Sequence, residues 1–139
     1  MTATLRMLDH TADMGLEVEA DSAAEAVEAA ARGMFEVLVH IDGVKPAVAE
    51  RIEIAEEGHD LLLRAFLAEL LFRFLTHARV YASFKVDSID ATRLVATVAG
   101  ETIDSARHQI RTELKAVTYH QLELRPEGNG WFARVIFDI

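Results

Sequence analysis

The chain has 139 residues, of which 51% are hydrophobic and 27% charged, with a formal net charge of −9; that size and balance suit a single globular domain over 1–139. It holds no cysteine, which excludes disulfides, zinc–thiolate centres and thiol catalysis. Residues 1–60 carry 14 acidic and 4 basic side chains, against 9 and 10 in residues 61–139; such an acidic half repels phosphate backbones, so direct nucleic-acid binding is not expected.

The first residues lack the apolar run of a secretory leader, and Arg64, Glu69 and Arg73 interrupt the most apolar stretch, Leu61 to Leu75, so no membrane span is expected. A cytoplasmic location follows by elimination. Leu5 and Met7, then Leu16, Val18 and Ala20, alternate with polar residues and predict two strands. Ser22 followed by Glu25 reads as a capping box, opening a helix whose apolar face recurs at Val27, Ala30, Met34 and Leu38. Asp42-Gly43-Val44-Lys45-Pro46 supplies the turn chemistry that ends it.

Ile52 and Ile54 mark a half-exposed strand. Gly58 punctuates, and Asp60 is placed to cap a second helix reaching about His77. This helix is apolar on nearly every side, which predicts a central place in the core. Strands follow over Val80–Val86 and Leu94–Ala99, then an irregular stretch over 102–113. The segments Tyr119–Leu124 and Trp131–Phe137 flank a hairpin turn at Pro126–Gly130. The order β-β-α-β-α-β-β-β-β predicts an α+β fold with two principal helices and a mainly antiparallel sheet.

No glycine-rich phosphate loop, nucleophile elbow, paired-histidine zinc helix or EF-hand loop occurs, so a self-contained enzyme is the weaker starting hypothesis. The polar residues that stand out sit at strand ends, where function gathers on a rigid base. They are Asp9, His10 and Asp13, then Glu101 and Asp104, which rank as peripheral, then Lys115, Thr118 and His120, and finally Asp138 beside the terminal Ile139. Were Asp13, Asp138 and the terminal carboxylate to converge, a hard divalent cation is the simplest means of offsetting their repulsion. The plainer reading of Asp13 is a turn carboxylate before Gly15; that of Asp138 is a solvated charge on an edge strand.

Three motifs in order, Leu8-Asp9-His10-Thr11-Ala12-Asp13, Lys115-Ala116-Val117-Thr118-Tyr119-His120 and Val135-Ile136-Phe137-Asp138-Ile139, together resemble the archeases. The resemblance implies a fold of strand-helix-strand-strand modules, one inserted in the other. It also implies a non-catalytic activator of an RtcB-type tRNA-splicing RNA ligase, promoting ligase guanylylation and multiple turnover. By that resemblance the metal ligands fall on Asp13, Asp138 and the terminal carboxylate of Ile139. Calcium is the implied ion, with manganese or magnesium as alternatives, and Asp9, His10, Lys115, Thr118 and His120 take supporting or partner-contacting roles. A chaperone-like specificity factor for a tRNA methyltransferase is the alternative. Phe66 and Ala20-Asp21 depart from the family's frequent Trp and Gly, departures that touch packing and a turn.

Overall fold

A computed structural model describes residues 3–9 and 13–139. Strands β1 (Ala3–Asp9) and β2 (Asp13–Ala20) pair antiparallel and lead into helix α1 (Ala23–Leu38). The Ser22 hydroxyl accepts the main-chain N–H of Glu25 at 3.1 Å, satisfying one of the donors that a helix start leaves open. The far end of α1 is closed from a distance: the N–H groups of Arg111 and Thr112 bond the carbonyls of Leu38 and Val37. The helix therefore stops at Leu38, ahead of the Asp42–Pro46 turn, because residues 111–112 take its last carbonyls.

Strand β3 (Val48–Ala55), helix α2 (His59–His77), and strands β4 (Arg79–Ile89) and β5 (Arg93–Thr102) come next. They build a three-stranded antiparallel sheet in the order β3-β5-β4. The chain then returns to the first sheet through β6 (Ala116–Val117), β7 (Glu123–Glu127) and β8 (Gly130–Asp138). There β8 lies between β2 on one side and β6 and β7 on the other. The order β2-β8-β7 repeats the order β3-β5-β4, and in each set a helix follows the first strand. The fold is thus one strand-helix-strand-strand module inserted within another, with β1 and β6 added to the outer one. No sequence repeat announces the duplication; topology does.

One hydrophobic cluster runs through both modules. Phe35 of α1 is its hinge point, with ring centroids 6.2 Å from Phe74 of α2, 5.5 Å from Tyr81 and 5.6 Å from Phe84 of β4. Edge-on and tilted contacts of this kind add to the burial of these four large side chains. At the rim of the inner module Glu50 of β3 accepts from Arg73 of α2 and from Arg79 and Tyr81 of β4.

Two details differ from the pattern read along the chain. Gly58, at φ +121°, takes the cap position of α2, and Asp60 sits inside the first turn, accepting the N–H of Leu61 at 2.9 Å. More consequential is the apolar girth of α2. Leu62, Leu63, Phe66, Leu67, Leu70 and Leu71 are buried, but Phe72 and Leu75 are 51% and 52% exposed. The helix is not enclosed; its outward side is open. Arg64 and Arg73, which interrupt the apolar run, are half-buried and bonded, to Val117 and to Glu69 and Glu50. Among the described residues no helix is long and apolar enough to cross a membrane.

Candidate functional site

The site grows out of one strand register. β2 and β8 pair from Ala20 against Trp131 to Asp13 against Asp138. Leu16, Val18, Val135 and Phe137 are buried on the helix side, so by strand alternation Asp13 and Asp138 stand together on the other face. Directly opposed residues hold their Cβ atoms about 4.5–5.5 Å apart. Gly15 permits this closeness: a Cβ there would lie 2.6 Å from Ile136 Cδ1 and 2.8 Å from the Val135 carbonyl oxygen. A side chain at that position would wedge the strands apart two residues from the aspartates.

On the far side of β8, Ala116 of β6 pairs with the same Asp138, and the N–H of Lys115 bonds the Asp138 carbonyl at 2.8 Å. The edge then leaves the sheet. β6 ends with Val117 opposite Phe137, and β7 begins with Glu123 opposite Arg134. Residues 118–122 therefore stand against only Val135 and Ile136, and the surplus bulges outward. The segment Tyr119–Leu124, expected as strand, is for most of its length this excursion. The strand proper starts at Glu123, and the hairpin turn tightens to Gly128-Asn129, with Gly128 at φ +60°. Positive φ at the first central position alone is the type II′ geometry that matches strand twist.

Thr118 anchors the excursion. Its N–H and hydroxyl both donate to the Ile136 carbonyl, at 3.0 and 2.9 Å, and its hydroxyl oxygen accepts the N–H of His120 at 3.2 Å. From α2, Arg64 donates to the Val117 carbonyl at 3.1 Å and lies 4.1 Å above the Tyr119 ring. The turn Tyr119–Leu122 closes with Gln121 at φ +52°, a position that type II turns usually give to Gly or Asn. This strained turn brings His120 and Gln121 beside Asp13 and Ile136, and the four line a cavity of about 140 Å³. Gln121 and Ile136 escape sequence reasoning because nothing in their types signals it; the offset between the β6 and β7 registers does.

Electrostatics separates the aspartate pair from the rest of that sheet face. On the neighbouring rungs Glu17 is held by Arg134 at 3.0 Å and Arg6 at 3.3 Å, and Arg134 also reaches Glu123 at 3.1 Å. The hydrogen bond from Arg134, opposed in part by burial and reinforced by Arg6, keeps the Glu17 carboxyl below its ordinary range. Among the described residues Asp13 and Asp138 have neither an ion pair nor a side-chain hydrogen bond, and Lys115 is exposed with its ammonium unpaired. Like charges directly opposed across a sheet are destabilising. Two facing carboxylates without a cationic partner form a donor set suited to a hard cation. Among the described residues no group of three or more His, Asp or Glu side chains gathers around one point.

The other named residues fall as follows. Asp9 pairs with Met14 in the β1–β2 register; its side chain, and the whole of His10, lie outside the described residues. Ile139 follows Asp138 directly and is 40% exposed. Glu101 is a tie between loops: it accepts from Arg107 at 2.7 Å, from the Lys45 N–H at 2.7 Å and bonds buried His108 at 2.8 Å. The N–H of Asp104 donates to Nδ1 of the same His108, at 2.8 Å, so the acid and histidine brace residues 101–108 and take no part in the aspartate site.

The topology and this site define a small α+β protein of two nested strand-helix-strand-strand modules with an acidic pair at one end of the outer sheet. The chain belongs to the archease protein family, whose model matches residues 5–139. It is 33% identical over 137 residues to protein archease of Methanopyrus kandleri, covering 95% of this chain and 96% of that one. It is 35% identical over 137 residues to protein archease of Thermococcus gammatolerans, covering 94% and 95%. The solution structure of protein 1598 of Methanobacterium thermoautotrophicum superposes with a TM-score of 0.81 at 36% identity, over 97% of this chain and 98% of that one. An archease from Thermotoga maritima, described as a possible chaperone, shares the fold with a TM-score of 0.60 at 19% identity over 96% of each chain.

Proposed function

We propose that this chain is a non-catalytic activator of an RtcB-type tRNA-splicing RNA ligase, promoting ligase guanylylation and repeated turnover through the Asp13–Asp138 pair. The observation that supports the reading is the register that sets these two carboxylates face to face with no described cation between them. Asp13, Asp138 and the carboxylate that Ile139 carries when it ends the chain would hold a divalent ion, calcium first, with manganese or magnesium as substitutes. Bound there, the ion supplies positive charge against phosphoryl oxygens, the stabilisation that nucleotidyl transfer requires.

The residues around it have distinct tasks. Thr118 holds the excursion on β8, which keeps His120 at the rim of the cavity beside Asp13. Lys115, exposed and unpaired just before the adjoining strand β6, is free to meet a phosphate or an acidic group of the ligase. The test is guanylylation of the ligase with wild type, Asp13→Ala and Asp138→Ala. Loss of stimulation in both variants is expected; full stimulation by both removes the site. Appending residues after Ile139 turns its carboxylate into an amide and should weaken calcium binding measured by calorimetry. An unchanged ligase together with co-purification of a tRNA methyltransferase would favour the chaperone-like alternative.

A further inference from the structure

A cavity of about 500 Å³ opens between β1, the C-terminal end of α1, the 3-10 turn Ile41–Gly43 and residues 111–112. That volume falls in the range of about 300–1,000 Å³ common to small-molecule sites. Gly33 draws α1 against β1, since a Cβ there would lie 3.1 Å from both δ carbons of Leu5. Beyond it α1 ends at Leu38, tied to residues 111–112, and strand, helix end and loop leave a hollow. Its floor is apolar, made by Leu5, Met7, Met14, Val37 and Ile41. Met14 opposes buried Phe137, which puts the hollow on the helix side of β2, away from the face that carries Asp13 and Asp138.

The lining also holds charges of both signs, Asp42 and Arg111. Elsewhere acids and bases close on one another, as Glu101 does with Arg107 at 2.7 Å and Glu53 with Arg93 at 2.8 Å. Here they do not. Among the described residues Asp42 has no ion pair and no side-chain hydrogen bond. Arg111 gives one N–H to the Glu36 carbonyl at 2.9 Å and meets no carboxylate. The Glu36 carboxylate, on the same rim, is held by Arg32 at 3.5 Å. The His40 ring and the Thr112 hydroxyl line the hollow as well, neither bonded to a described residue.

We propose that this cavity binds a large hydrophobic α-amino acid, its side chain on the apolar floor, its ammonium against Asp42 and its carboxylate against Arg111. An acid and a base set apart over one apolar surface complement a ligand that carries both charges on an apolar body. A neutral apolar ligand would cover the two charges without answering either, and a singly charged one would leave one of them without a partner. The guanidinium fork suits a carboxylate, and the Thr112 hydroxyl adds a donor beside it. Met7, 46% exposed, and Met14 are unbranched and adjust to the shape they meet, so the floor accepts a class of side chains and not one. The inference stands apart from the ligase reading, because neither Asp42 nor Arg111 belongs to the aspartate site.

The experiment titrates the intact chain by calorimetry at neutral pH with L-phenylalanine and L-leucine. Each is run beside its analogue without the carboxylate (phenethylamine, isoamylamine) and without the ammonium (hydrocinnamate, isocaproate). At least one amino acid should saturate below about 10 mM, and each of its analogues should bind about tenfold more weakly, the loss of one charge-assisted hydrogen bond. Asp42→Asn should weaken the amino acid about tenfold and bind the carboxylate analogue no less tightly than wild type; Arg111→Gln should do the same with the amine analogue. Met7→Trp, from an exposed position on the floor, should fill the hollow and remove binding. Thermal melts check that all three variants fold. Failure of both amino acids to saturate overturns the proposal. So do analogues that bind as well as their parents, or charge variants that bind every probe as wild type does or weaken every probe alike.

Discussion

The phenol of Tyr81 donates to Glu50 at 2.9 Å where two guanidinium groups, those of Arg73 and Arg79, already reach the same carboxylate at 2.8 and 2.7 Å. One acid on β3 thereby joins β4 and α2, the three elements that enclose the inner module's core. Replacing it leaves two half-buried cations and a buried phenol without their acceptor. Breaking a buried pair costs about 3–5 kcal/mol, and with the Glu50 side chain 22% exposed the expectation falls to about 2–3 kcal/mol. Urea unfolding of Glu50→Ala should show a lowered midpoint with an unchanged slope; a midpoint within error of wild type would contradict this role.

The same carboxylate sets a pH dependence. Burial pushes the Glu50 carboxyl up, but the hydrogen bonds from Tyr81, Arg79 and Arg73 outweigh it and hold the group below its ordinary value. Glu101 is held well below the carboxylate range, mainly by Arg107 and by the Lys45 N–H, and Glu17 is lowered by Arg134. A depressed folded pKa contributes stability that is complete above the unfolded value, about 4.3, and is lost as pH falls through the folded one. The melting temperature should therefore be nearly level from neutrality to about pH 5 and fall steeply below that unfolded value. Thermal melts of Glu50→Gln should show a shallower acid fall than wild type, since a group that never ionises contributes nothing to the slope.

Much of this was legible along the chain, for reasons that are local. The capping box at Ser22–Glu25, the alternation in β2, β3 and β5, and the hairpin glycines depend on neighbours a few residues away. The site was legible in part, because three motifs mark strand ends whatever their pairing. What escaped depends on distant partners. That Asp13 faces Asp138, and not a neighbour one step along, is a register set by all eight rungs of β2–β8. The Thr118–Leu122 excursion is a mismatch between two registers on one edge, invisible in a segment whose composition suits a strand.

Helix α2 ends on a residue of the wrong type for its backbone. Ala78 sits at φ +54°, ψ +39°, its N–H closing on the Arg73 carbonyl and its own carbonyl taking the Ile103 N–H. The left-handed region costs an L-residue with a Cβ roughly 1–2 kcal/mol, and glycine is the usual occupant of this helix-end position. Ala78 is exposed, so no packing is lost when its methyl goes. Ala78→Gly should stabilise by about 1 kcal/mol net of the added chain entropy, raising the melting temperature by about 3–5 °C for a chain of this size. A lower melting temperature would show that the methyl contributes more than the conformation costs.

The aspartate pair makes a prediction of opposite sign from an ordinary mutation. Asp13 and Asp138 repel across the β2–β8 rung, and among the described residues no cation answers them. Removing one charge should therefore stabilise the isolated protein in chelator, by about 0.2–1 kcal/mol for a directly opposed pair. Calcium should reverse the order if the proposed site holds it. A ligand at about 100 times its dissociation constant adds roughly 2.7 kcal/mol to the state that binds it, and only the wild type keeps both carboxylates. Melting curves of wild type and Asp13→Asn should cross: the variant higher in chelator, the wild type higher in excess calcium. Asn preserves the shape of the side chain, so a difference that ignores calcium would assign Asp13 to the turn and not to an ion. A variant less stable in both conditions would mean that the carboxylate itself supports the strand end, and the cation reading would fall with it.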